Sequence, residues 1–314
     1  MAVTFAATPR THASSTPARR GPRGRALRRG LTGWAFAGPA TAIVAGLSIF
    51  PAVWAFFISR AKWNGISPAT MVGWRNYRQL VADPDMLAAA RHTLLLTVLF
   101  VPSSIVLGIV IAVALNQRIR LIGFYRTCIF VPYVASAAAT GILAGFVFNP
   151  QFGAANDVLR HLGIPAQQFL ESPHQALYVV CVIALWGEVG FTTVIYLAAL
   201  QDIPRELVEA AVMDGAGRLR VFRHITLPEL RPVTVFVAVW QTITAMQLFD
   251  LIYTTTRGGP LNTTQTIVYY IYQLAFQTQR LGYGAAAAYL LFIVTLVLTL
   301  GVIWYGRRRG SEVF

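Results

Sequence analysis

Along most of the chain, apolar residues do not recur at a helical or strand period. They run together in blocks of about twenty, separated by shorter polar stretches. Roughly 20 residues rising 1.5 Å each cross the hydrocarbon core of a bilayer, so blocks of this length predict transmembrane helices. Six are predicted, over about 33–59, 93–115, 127–148, 176–200, 233–253 and 284–304. Pro51, Pro102 and Pro132 fall inside them, where neighbouring helices can satisfy the carbonyls that proline frees. The first block is far longer than the apolar region of a cleaved signal, so it is expected to stay as the first helix. Residues 1–32, rich in Pro, Ala, Ser and Arg, predict a disordered basic cytoplasmic tail. A membrane domain is expected over 33–308, with a second short tail at 309–314.

Composition narrows the class. Of 314 residues, 56% are hydrophobic and only 12% charged, about half the charged share of a soluble domain. The chain therefore reads as an all-α polytopic membrane protein. A net charge of +14 suggests nucleic acid until the charges are placed. Of the 26 basic residues, 18 lie in 1–32, 116–126, 201–232 and 305–314, which six alternating spans put on one side. That bias predicts both termini inside and leaves no reason to invoke a nucleic-acid partner. Cys128 and Cys181 lie in predicted spans without metal-ligand spacing, and both read as buried small hydrophobes. Asp250, near the outer end of the fifth span, reads as a structural carboxylate paired within the outer loops. Of those loops, 60–92 and 149–175 are long enough for short surface helices.

Soluble-enzyme chemistry is missing from the sequence. There is no G-x-x-x-x-G-K-[ST] loop to hold nucleotide phosphates, and Lys62 is the only lysine. Neither H-E-x-x-H nor G-x-S-x-G occurs, and the five histidines are scattered. The chain is expected to have no catalytic activity, cofactor or metal of its own, and to take energy from a partner.

The loop after the fourth span, 201–232, carries the most information. Asp202 can cap a helix with Pro204 in its first turn, and 205–214 is a good helix former. Gly215 and Gly217 end it, and a second short helix from Arg218 to Thr226 leads to Pro228 and back into the membrane. Two short helices joined at glycine make a knob that can receive force from a soluble partner. They can equally rest on lipid headgroups as an interfacial pair.

The spacing Glu209-Ala210-Ala211, three residues, Gly215, nine residues, Ile225-x-Leu227-Pro228 resembles the EAA loop of permeases in binding-protein-dependent ABC importers. Val72-Gly73-Trp74-Arg75-Asn76-Tyr77, Arg126-Thr127 through Val131-Pro132-Tyr133, and Phe148 to Gly153 resemble further elements of the carbohydrate-uptake group. Thr256 to Pro260 is similar to a T-G-G-G-P element, with Arg257 replacing a glycine. The likeness runs from about residue 33 to 308 and points to permeases of the maltose, multiple-sugar and glycerol-3-phosphate type.

The resemblance implies a type I importer permease fold in a bacterial plasma membrane. It implies a second homologous permease, two cytoplasmic ATPase subunits that bind the ATP, an extracytoplasmic solute-binding protein and surrounding lipid as partners. Glu209 would then pair with a basic residue on the ATPase, Ala210 and Ala211 would permit close packing, and Gly215 would form the bend.

Substrate contacts are sought among polar and aromatic residues within spans. Glu188 sits at the middle of the fourth span, where an ionisable side chain needs a partner or a wet cavity. Trp186 and Thr193 lie near it. Trp240, Thr244 and Gln247 share one stripe of the fifth span by their i, i+4, i+7 spacing. Such residues offer a sugar a stacking plane and hydroxyl partners, or they pack against another helix. Glycerol-3-phosphate is an alternative substrate. An ion-coupled carrier using Glu188 is the rival from another class.

Overall fold

The computed structural model describes residues 34–117 and 120–308. The tails expected at 1–32 and 309–314 lie outside the described residues. The elements in chain order are helix α1 (Trp34–Ser59), a two-stranded antiparallel hairpin of β1 (Ala61–Lys62) and β2 (Thr70–Met71), and the short helix α2 (Arg75–Val81). Helix α3 (Pro84–Leu115) is followed by α4 (Ile122–Val134), α5 (Ala137–Val147) and α6 (Ala154–His161). Then come α7 (Ala176–Asp202), α8 (Arg205–Met213), α9 (Arg218–Val221), α10 (Arg231–Met246), α11 (Asp250–Thr254), α12 (Ile267–Tyr272) and α13 (Leu281–Arg308).

Two compact units divide at Trp54. From Trp34 to that residue the chain is helical, with a π turn over Ala45–Ile49 and the rings of Phe50 and Trp54 stacked. The unit from Ala55 onward contains all the sites considered below.

Within this second unit α3 and α7 pack along their length, α10 lies against α3, α4 against α7, and α13 against α10. Three apolar clusters fill the contacts. Leu96 and Phe100 meet Val180 and Ile183 in one, and Met86 and Ala89 meet Ile267, Tyr283 and Ala286 in the second. Ala112, Tyr196, Leu230 and Val237 form the third. Between membrane helices lipid offers no hydrophobic contrast, so close packing has to hold the pairs together. Gly190 of α7 illustrates this: a Cβ there would stand 2.4 Å from the Ile129 carbonyl oxygen of α4.

The second span begins at Pro84 rather than near 93, because Asp83 supplies a start that apolar content alone does not mark. One oxygen of Asp83 accepts the Asp85 backbone N–H at 3.0 Å. The other accepts the hydroxyls of Tyr270 and Tyr283, both at 2.8 Å. Partial burial raises the Asp83 carboxyl, but these hydrogen bonds outweigh it and hold the group below its ordinary value of 3.8. The same carboxylate drives the Tyr270 hydroxyl, already raised by burial, further up.

Among the described residues, five helices are long and apolar enough to span a membrane, and a sixth span exists only as the bent pair α4–α5. This corrects the expectation of a continuous third helix over 127–148. Ala135 and Ser136 are extended, and the chain turns by 100° between the two helices. Pro132 has no N–H for the Cys128 carbonyl, which weakens the ladder just before the break. Two further expectations are corrected. Cys181 is buried but Cys128 is exposed, on a face of α4 that its own chain does not cover. Asp250 is exposed and makes no ion pair among the described residues; Arg160–Asp157 is the pair found there. The surface helices foreseen in the long loops are α2 and α6.

Candidate functional site

Two regions combine unusual exposure or unusual polarity with a defined position. The first is the loop between α7 and α10. Helix α7 runs through Asp202, so Asp202 closes that helix rather than capping the next. Pro204, extended at ψ 127°, is the residue before α8, and no side chain caps it. Proline presets the chain direction there and has no N–H to leave unsatisfied.

Helix α8 ends in a complete Schellman motif. Gly215, at φ +77°, sends its N–H to the Val212 carbonyl at 3.0 Å, and the Ala216 N–H reaches Ala211 at 2.9 Å. Gly217 does not end this helix; it stands at the N-cap of α9, with extended backbone. A π turn over Phe222–Thr226 and one turn over Leu227–Glu229 continue α9 to α10.

The base of this loop is locked to the membrane core. Leu230 is fully buried beside Tyr196 and Val237, with Ile203 and Phe222 packed against the same cluster. The Tyr196 hydroxyl donates to Thr234 Oγ1 at 3.2 Å. Its tip is the opposite. No residue of α8 is buried, and Met213 and Leu219 are 87% and 80% exposed. Glu209, Ala210, Gly215 and Leu227 are exposed, while Ala211, Ile225 and Pro228 are half-buried. Glu209 forms no ion pair among the described residues. A nine-residue amphipathic helix that buries none of its side chains gains nothing from its own core, and helices this short are marginal alone. A rigid base and an unpartnered tip can transmit a push delivered at α8 into α7 and α10.

The second region is a cavity of about 100 Å³ where the α4–α5 break meets α3, α7 and α10. Glu188 and Thr244 line it together, with Tyr133 and Thr140. Glu188 Oε2 has no hydrogen-bond partner. The other four expected contact residues are not in this cavity. Trp186 is 46% exposed on the surface of α7. Thr193 is buried, with Oγ1 unpartnered. Gln247 faces a separate groove with Ile243, Ala288 and Thr295. Trp240 belongs to a run of rings in which Tyr133 meets Phe191 at 5.1 Å and Phe191 meets Trp240 at 5.3 Å.

Sequence reasoning missed Gln241. It is fully buried, and its Nε2 donates to Thr192 Oγ1 at 2.6 Å, while Thr192 and Ser104 Oγ lie 3.0 Å apart. Gln241 is also the polar neighbour of Glu188, and its own Oε1 is unpartnered. The missed signal was an amide one residue after Trp240 in an otherwise apolar run.

Comparison with known proteins identifies the architecture. The sulfoquinovosyl glycerol transport system permease protein SmoG of Agrobacterium fabrum is 33% identical, covering 83% of this chain and 85% of its own. The diacetylchitobiose uptake system permease protein NgcF of Streptomyces coelicolor is 35% identical, covering 94% and 89%. A chain of a bacterial ABC transporter involved in the import of the acidic polysaccharide alginate shares the fold. Its TM-score is 0.80 at 22% identity, over 92% of this chain and 99% of that one. Residues 104–309 match the family described as the inner membrane component of binding-protein-dependent transport systems. With its broken third span and its exposed loop helix between α7 and α10, the chain belongs to that family of multi-pass ABC importer permeases, whose ATP is hydrolysed by a separate subunit.

Proposed function

We propose that this chain imports a neutral sugar or oligosaccharide, paired with a second homologous permease. Two cytoplasmic ATPase subunits would drive the pair, and an extracytoplasmic solute-binding protein would supply it. The observation that carries the reading is α8: unburied along its whole length, studded with exposed apolar side chains, and bearing an unpaired Glu209. In this reading α8 docks in a groove of the ATPase. Glu209 meets a basic residue there, Ala210 and Ala211 allow close approach, and Gly215 fixes the bend. Ile225, Leu227 and Pro228 carry the motion to α10. The loop, both termini and the tails at 1–32 and 309–314 face the cytoplasm, in keeping with the placement of basic residues. The membrane domain is 33–308.

The substrate class rests on two supports. The relatives named above are transport proteins for carbohydrates and a sugar derivative. The cavity at Glu188 and Thr244, with the rings of Tyr133, Phe191 and Trp240 close by, suits hydroxyls and a sugar face. Trp186, Thr193 and Gln247 have weaker support, lying outside that cavity. An anionic solute such as glycerol-3-phosphate is the alternative, and the sulfoquinovosyl glycerol named for one relative carries a sulfonate. Against it, no Lys or Arg lines the cavity. The ion-coupled rival falls with the family assignment.

The test is co-purification from detergent of wild type and Glu209→Arg, with sugar-stimulated ATP hydrolysis as the second readout. An ATPase that accompanies wild type and is lost or uncoupled in the variant is the expected result. Equal recovery with intact stimulation would remove α8 from the coupling role.

A further inference from the structure

At the end of the bundle opposite the coupling loop, where α1 ends and α13 begins, lies a cavity of about 490 Å³. Its walls are the β1–β2 hairpin, α2 and the segment that leads from Gln279 into α13. Lys62, Arg75 and Arg280 line it, together with Trp63, Gln279 and Tyr283, and no carboxylate does. None of the three cations has an ion-pair partner among the described residues. The nearby carboxylate, Asp83, is occupied by the two tyrosine hydroxyls.

The site is built rather than incidental. Buried Asn76 donates to the carbonyls of Ser59 and Ala61 at 2.8 and 3.0 Å, which clamps the hairpin onto α2. Val72 N–H returns to the Arg60 carbonyl at 2.8 Å. On the other wall Gly282 N–H donates to the Trp63 carbonyl, and a Cβ on Gly282 would stand 2.0 Å from the Ala61 oxygen. Arg280 is held over the Tyr283 ring at 4.2 Å. Three like charges brought to one preformed cavity repel one another unless an anion joins them.

We propose that this cavity binds a phosphate group, and that the head group of an anionic phospholipid is the source its position favours. Lys and Arg bind phosphate by charge and, for Arg, by paired N–H donors. The cavity lies at the ends of two spans, the depth at which headgroups and interfacial tryptophans are found. A volume of this order suits a headgroup rather than a bare ion. The proposal does not depend on which substrate is transported.

The experiment uses the full chain with its co-purifying subunits in nanodiscs of phosphatidylcholine doped with phosphatidylglycerol. Native mass spectrometry counts the phosphatidylglycerol retained. Each basic residue near a headgroup is worth about fivefold in affinity. Lys62→Gln, Arg75→Gln and Arg280→Gln should each weaken retention about fivefold, and the triple variant about 100-fold. Arg78→Gln, on the same helix but outside the cavity, should match wild type. Glycerol phosphate is offered separately to pure phosphatidylcholine discs. If it binds wild type and not the triple variant, the phosphate site stands and its source is soluble. Equal phosphatidylglycerol retention by wild type and a normally folded triple variant, with no glycerol phosphate bound, would overturn the proposal.

Discussion

Substituting Gly215 isolates the bend that ends α8 from every other property of the loop. The residue sits at φ +77°, and a Cβ built there meets nothing within 4 Å. Any penalty is therefore torsional, with no clash to complicate it. For an L-residue the left-handed region costs roughly 1–2 kcal/mol, least for Asn and most for β-branched side chains. Gly215→Asn should bend the loop nearly as wild type does, Gly215→Ala should lose about 1 kcal/mol, and Gly215→Val about 2 kcal/mol or more. Since 1.4 kcal/mol is tenfold, the valine variant should populate the bent loop about 30-fold less. All three changes narrow the unfolded chain in a similar sense, so their differences report on the bend. The assay is substrate-stimulated ATP hydrolysis by the complete transporter, with each variant's thermal midpoint as a fold control. The order Asn, Ala, Val in falling stimulation is expected. Full stimulation in Gly215→Val would refute the view that coupling needs this motif closed.

Other substitutions test the frame around the sites. Gly190→Ala drives a methyl into the Ile129 carbonyl and should cost about 1–3 kcal/mol, seen as a lower melting temperature in detergent. Gln241→Leu removes the donor to Thr192 and the polar neighbour of Glu188. It should destabilise by about 1–3 kcal/mol, whereas the paired change Gln241→Leu with Thr192→Val should recover part of the loss. Asp83→Ala loses a helix cap and two tyrosine hydrogen bonds, for about 2–3 kcal/mol at neutral pH. Because the folded carboxyl titrates below the unfolded value of 3.8, its contribution is complete above that pH. The gap between wild type and variant should close only as pH falls below 3.8 and through the folded value; a gap that closed near pH 6 would contradict this.

What the sequence made legible, and what it hid, follows from the physics of each signal. The long apolar blocks marked α1, α3, α7, α10 and α13, because in a membrane length and hydropathy together nearly decide the element. Ala137–Val147 is as apolar as its neighbours, so hydropathy cannot see the turn at Ala135–Ser136; Pro132 is the local sign, and a proline alone is compatible with a continuous span. The start of α3 was set by Asp83, whose tyrosine partners lie 187 and 200 residues away, beyond any local pattern. In the loop, glycine placement gave the two helices and their bend, while the division of labour between Gly215 and Gly217 needed backbone angles. Among the candidate substrate contacts, spacing on one helix puts Thr244 and Gln247 on a shared stripe. The packing of α10 between α3 and α13 sent them to different cavities.

The broken third span also changes how the cavity beside it can be altered. Pro132, Ala135 and Ala137 line it as well as Glu188 and Thr244. Backbone leaves the helical ladder at Ala135–Ser136 beside this cavity, and irregular backbone at membrane depth is tolerated where it borders protein or a wet cavity. Part of this wall is written in the path of the chain rather than in its side chains. An alanine scan, which leaves every carbonyl in place, would pass over that part, and side-chain drift among relatives could retune the cavity without dismantling it.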